Sequence, residues 1–128
     1  MDALQKFAII GVGGLIGANL RYWVSGWAVE RFGATFPWGT LIINLSGSAL
    51  LGVFLGWASN HIDVDPRIRL LVATGFFGAY TTFSTYANES VAMLQSGNWV
   101  GVLGNVLGTN LLCLGGALLG VLIATRWL

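Results

Sequence analysis

Charge is scarce in this sequence. Six Lys or Arg and five Asp or Glu make up 9% of 128 residues, where a soluble domain carries about 25%. So little charge beside 55% hydrophobic residues excludes an ordinary soluble domain and leaves the membrane class. A net charge of +1 provides no basic face that would hold nucleic acid. The single cysteine, Cys113, rules out an internal disulfide; it lies in an apolar run and reads as a small buried hydrophobe. The single histidine, His61, rules out a catalytic histidine dyad. It stands in a loop beside Asp63 and Asp65, and two mobile carboxylates define no metal geometry. No nucleophile stands with a base, so the chain does not read as an enzyme.

Apolar sequence is plentiful. Four runs cover roughly 7–29, 38–57, 68–93 and 99–123, and each reaches the about 20 helical residues that cross a bilayer core. The first continues past the length of a signal-peptide core and no small-residue cleavage site ends it, so it reads as a retained span. Short loops, "ERFGATFP", "SNHIDVDPR" and "QSGN", make neighbouring helices antiparallel. Pro37 and Pro66 suit helix starts. Trp23, Trp27, Trp38, Trp57, Trp99 and Trp127 fall mostly near span ends, as an aromatic belt does. The expected fold is all-α, one transmembrane domain over 1–128 with four helices. Both termini share a side with the 59–67 loop, which puts Lys6, Arg67, Arg69 and Arg126 against Arg21 and Arg31. So small a bias permits insertion in both orientations.

Four helices leave little room to enclose a pore, which points to a homo-oligomer. Glycine pairs at packing spacing agree with this: Gly13/Gly17, Gly52/Gly56, Gly104/Gly108 and Gly116/Gly120. "GVGGLIG" at 11–17 has the look of a dinucleotide loop, but Ile16 stands where the third glycine is needed, and helix packing explains it.

Polar residues inside the spans carry the functional signal, because intramembrane polar groups are costly and face the bundle interior. Thr40, Asn44 and Ser48 recur every four residues, as do Asn105, Thr109 and Cys113, with Asn110 adjacent. A lone Ser or Thr can bond back to its own helix; the Asn44 amide has more donors and acceptors than one helix satisfies. These stripes hold donors and no carboxylate, Glu89 being the one acid within a span. Such a lining suits a small anion, and phenyl edges carry the positive end of the ring quadrupole. Phe83 and Tyr86, three apart, share a face if helical. The third run spans about 39 Å as one helix against a core of about 30 Å. The stretch "TGFFGAYTTFSTYANE" at 74–89 has glycines and threonines that predict a helix break near mid-membrane, where freed carbonyls must line a cavity or bind an ion.

With "GxxGANLRY" at 14–22, "PWGTLIINLSG" at 37–47 and above all "TGFFGAYTTFSTYANE", the chain resembles the Fluc (CrcB) family of small fluoride channels over essentially its whole length. The resemblance implies an antiparallel, dual-topology homodimer in the bacterial inner membrane, with two fluoride pores lined by both subunits. It implies ring edges from Phe83 and Tyr86, a pore asparagine at Asn44, and a hydroxyl track at Thr40, Ser84, Thr85 and Thr109. It further implies a vestibule arginine at Arg21, the acid Glu89, and a central Na+ held by the backbone carbonyls of Gly78 and Thr81 of both chains. The role implied is passive fluoride export. Three positions depart from the pattern: Tyr86 for a second phenylalanine, Tyr80 in the glycine-rich break, and Asn105 where some members carry tyrosine. On the residues alone, a proton-coupled multidrug transporter and a non-transporting membrane subunit stay open beside the channel. The first would want an acid in the first span, and Asp2 and Glu30 only flank it.

Overall fold

The first helix begins where the sequence supplies a cap. In the computed structural model, which describes Met1–Leu128, the Asp2 side chain accepts from the backbone N–H of Gln5 and the Gln5 side chain accepts from that of Asp2, a reciprocal capping box. From it α1 runs over Ala3–Phe32 and stops at Gly33, φ 79°. Helix α2, Trp38–Asn60, follows Pro37. The third span opens at α3, Pro66–Arg69, with Pro66 in its first turn and the Asp65 carboxylate capping the N–H of Arg67. It widens into a π-helix over Leu70–Phe77 and closes as α4, Gly78–Tyr80. Thr81 and Thr82 are extended, ψ 157° and 113°. Helix α5, Phe83–Gln95, resumes beyond them, and α6 is Trp99–Trp127.

Three helices, α1, α2 and α6, are each long and apolar enough to cross a membrane. The third span is not one helix: α5 has 13 residues, about 20 Å at 1.5 Å per residue. The break falls at Thr81–Thr82, just past the glycines that the sequence offered for it. The helices also run beyond the apolar runs, to Phe32, Asn60 and Trp127, and the first of them stops at the Gly33 cap. Between α5 and α6, Asn98 N–H reaches the Met93 carbonyl and Gly97 N–H the Leu94 carbonyl, with Gly97 at φ 76°. This Schellman turn reverses the chain in three residues.

Packing proceeds by close approach of small residues. Helix α1 lies along the π-helix and α4, and α2 lies along α6. A Cβ on Gly17 would strike the Phe76 carbonyl, and one on Gly120 the Ala49 carbonyl, so backbone meets backbone at both crossings. Gly13 meets the π-helix, and Gly52, Gly56 and Gly116 meet their opposite helices. Three of the four glycine pairs thus serve packing within one chain, and not the contact between copies that their spacing suggested. Gly104 and Gly108 meet little. A small core of Ile43, Phe77 and Tyr80 joins α2 to the third span. Only 21 of 128 residues are buried, so most apolar side chains face outward, as in a bundle solvated by lipid.

Gly120→Val forces a branched side chain into the Ala49 backbone. It is expected to destabilise the fold by about 1–3 kcal/mol, seen as a lower thermal midpoint in detergent, whereas Gly11→Ala, which meets open space, leaves the midpoint unchanged or raises it.

Candidate functional site

The break at Thr81–Thr82 is held from outside the third span. Asn44 on α2 uses both ends of its amide on one residue: Nδ2 donates to the Thr82 carbonyl at 3.0 Å and Oδ1 accepts the Thr82 N–H at 2.8 Å. A side chain thereby replaces a missing turn of helix. Thr82 then caps α5, its Oγ1 accepting the N–H of Thr85 at 3.3 Å and lying 2.9 Å from Thr85 Oγ1. On the other side, Thr81 Oγ1 donates to the Phe77 carbonyl at 2.8 Å, while its own carbonyl accepts no hydrogen bond. Because the Thr82 N–H goes to Asn44, the Gly78 carbonyl loses its ordinary α-helical donor.

Around this clamp a cavity of about 300 Å³ opens between α2, α5 and α6. Asn44 and Ser48 face it from α2, Thr81 and Thr82 from the break, Phe83 and Tyr86 from α5, and Thr109, Asn110 and Cys113 from α6. No charged side chain lines it. The two rings lie 5.4 Å apart at 54° but differ in setting: Tyr86 is 7% exposed and Phe83 76%. A second cavity, between α2, α5 and the loop after α1, holds Ser25, Thr40 and Glu89. There Thr40 Oγ1 donates to Glu89 Oε1 at 2.8 Å, and Glu89 Oε2 is buried without a partner.

Of the residues singled out from the sequence, Asn44, Thr81, Phe83, Tyr86 and Thr109 converge on the first cavity, and Thr40 and Glu89 on the second. Ser84, Thr85 and Gly78 lie on the outer surface near the break. Arg21 is half-buried on α1 and lines neither cavity. Tyr80 turns inward, stacked on Phe76 with centroids 5.8 Å apart and its hydroxyl 3.0 Å from Ser46 Oγ. Asn105 is fully buried and serves structure: Nδ2 donates to Ser90 Oγ, and Oδ1 accepts from Thr109.

Two cavity residues that the sequence reading placed on or beside the stripe of the fourth span were given no pore role there. Cys113 is not the buried hydrophobe expected of it: it is half-buried and faces the cavity. Its place on the Asn105–Thr109 stripe was the available signal. Asn110 stands off that stripe, yet the reasoning applied to Asn44 applies to it, since one helix cannot satisfy an asparagine. Its Nδ2 donates to the Val106 carbonyl at 2.7 Å and to the Tyr86 hydroxyl oxygen at 2.9 Å.

Known proteins match this sequence over most of its length. Residues 8–121 match the family described as CrcB-like protein, Camphor Resistance (CrcB). Curated relatives printed as "Fluoride-specific ion channel FluC" include one from Koribacter versatilis, 48% identical over 116 residues, 91% of this chain and 92% of that one. Another, from Chloroflexus aurantiacus, is 42% identical over 127 residues, 97% of this chain and 98% of the relative.

Asn44→Leu leaves the Thr82 N–H and carbonyl unpaired, at about 1–3 kcal/mol each. An unfolding titration in detergent is expected to show a larger loss than for Ser46→Ala, which gives up the contact with the Tyr80 hydroxyl, worth about 1 kcal/mol, and a bond back to its own helix at the Ile42 carbonyl that is already paired within the helix.

Proposed function

The chain belongs to the CrcB-like family, whose curated relatives carry the name of a channel and not of an enzyme, and from that membership we propose that it is a fluoride-selective channel through which fluoride leaves the cell passively. The observation that carries this reading is the first cavity: amide, hydroxyl and ring edge beside a broken span, with no charged side chain among them. Such a lining offers an anion hydrogen bonds without a fixed cation to trap it, and conduction requires binding weak enough to release. In this reading the residues take the following roles. Asn44 holds the break and keeps a second Nδ2–H uncommitted. Phe83 and Tyr86 present ring edges. In this reading Thr109 of the first cavity, Thr40 beside Glu89 in the second, and Ser84 and Thr85 on the outer surface belong to the hydroxyl track, and Arg21 is the vestibule arginine.

The proposed assembly is an antiparallel, dual-topology homodimer with two pores in the bacterial inner membrane. Its support is the outer surface at the break: Ser84, Thr85 and Phe83 are exposed there, and polar groups at that depth gain from being covered by protein. A central Na+ fits the same surface. Hard cations take oxygen ligands; the Thr81 carbonyl is unpaired and the Gly78 carbonyl has lost its helical donor. One chain offers two such carbonyls, fewer than such an ion takes, so a second copy would supply the rest.

Liposomes loaded with fluoride or chloride test the function. With the membrane potential clamped, fluoride efflux is expected to be fast, chloride efflux slow, and neither to need a proton gradient. Equal passage of both anions, or strict dependence on a proton gradient as in a multidrug exchanger, sinks the reading. Phe83→Ile is expected to abolish fluoride efflux while chemical cross-linking still traps a dimer. Wild-type flux in Phe83→Ile combined with Asn44→Ala would favour a non-transporting subunit whose polar groups only hold helices together.

A further inference from the structure

One buried donor in the first cavity has no recipient. Tyr86 is 7% exposed, and its hydroxyl oxygen accepts a hydrogen bond from Asn110 Nδ2 at 2.9 Å. The orientation of that amide is fixed by its other contact. Asn110 Nδ2 also lies 2.7 Å from the Val106 carbonyl, which can only accept, so the –NH₂ end must face it and Oδ1 must point elsewhere. Both protons on Nδ2 are then committed, and an amide –NH₂ has no lone pair to offer in return. The tyrosine proton therefore cannot go to Asn110, and the hydroxyl has no other hydrogen-bonding partner. Tyr86 lines the cavity, as does Asn44 with its second uncommitted N–H. Thr109, by contrast, spends its proton on Asn105.

Leaving a buried donor unmade is costly, and the group that relieves it must be an acceptor that enters the cavity. We propose that the Tyr86 hydroxyl donates a hydrogen bond to the permeating anion, and that Asn110, by occupying the oxygen's lone pair, turns the proton into the cavity. The proposal rests on the fluoride-channel reading and adds to it a specificity residue and a positioning residue. The hydroxyl acts in the ring plane, along the same edge that the quadrupole makes positive, so the two attractions add. A compact anion of high charge density gains more from an O–H donor than a large diffuse one, because charge-assisted hydrogen bonds strengthen as they shorten. The hydroxyl thus raises selectivity for fluoride over chloride.

Tyr86→Phe removes the proton and keeps the ring. In liposomes, the ratio of fluoride to chloride efflux is expected to fall about 3- to 10-fold, the range for one hydrogen bond, with a matching rise in the fluoride concentration for half-maximal flux. Asn110→Ala frees the hydroxyl to turn and lowers the ratio by less. Added to Tyr86→Phe, it produces no further change in the ratio, a coupling that a merely structural asparagine would not show. A ratio in Tyr86→Phe equal to or above that of the wild type overturns the proposal, as does an Asn110→Ala effect that is undiminished in the Tyr86→Phe background. A wild-type protein that carries no fluoride overturns the channel reading and this proposal together, so the two failures are told apart by the wild-type trace.

Discussion

A backbone N–H or carbonyl within a bilayer must find a partner inside the protein or line a cavity, and this chain violates helical continuity in the one span where the partners then have to come from elsewhere. At Thr81–Thr82 the main chain is extended, and Asn44 from α2 supplies both the acceptor and the donor that Thr82 lacks. The remaining features of the site follow from that repair. The clamp frees the Gly78 and Thr81 carbonyls on one side and starts α5 with a Thr82 cap on the other. Beyond that cap, α5 carries Tyr86 to its contact with Asn110 on α6.

The glycines make that repair geometrically possible. An asparagine side chain is short, so α2 must lie close to the break. The Tyr80 ring and the Thr81 methyl pack directly on Gly47, where any larger residue would push Asn44 away from Thr82. The backbone contacts of Gly17 with Phe76 and of Gly120 with Ala49 hold the flanking helices at the same close range. Dense glycine and a single asparagine are therefore two parts of one arrangement, in which small residues set the distance that a short polar side chain then spans.

Much of this was legible in the sequence. The four runs, the loops between them and the two prolines located the helices, because apolar length and turn chemistry act locally. The span too long for the bilayer announced its break. The residue at which it breaks was not legible: glycines permit a bend, but the turn is lost where Asn44 competes for the Thr82 N–H, a contact between positions 38 apart. Periodicity placed Asn44, Thr109 and Tyr86 near one another, since stripes on neighbouring spans face inward. It could not separate Asn105, which is sealed into a link with Ser90, from Thr109 one turn on, nor tell that Asn110, beside the stripe, reaches the cavity. Glycine spacing was legible as close packing but not as to partner, because the same small-xxx-small pattern serves contacts within a chain and between copies.

The long separation of Asn44 from Thr82 also sets an order of assembly. During synthesis α2 reaches the membrane while the third span is still unmade, at about 5–20 residues per second. For that interval of seconds Asn44 sits in the bilayer with neither end of its amide on Thr82. An asparagine exposed to lipid seeks any polar partner, so the nascent chain passes through a stage at which α2 is open to the wrong neighbour. Arrival of the third span closes it, and the break in that span, whose unpaired N–H and carbonyl match the waiting amide, is the feature that makes the right neighbour distinguishable from an unbroken helix.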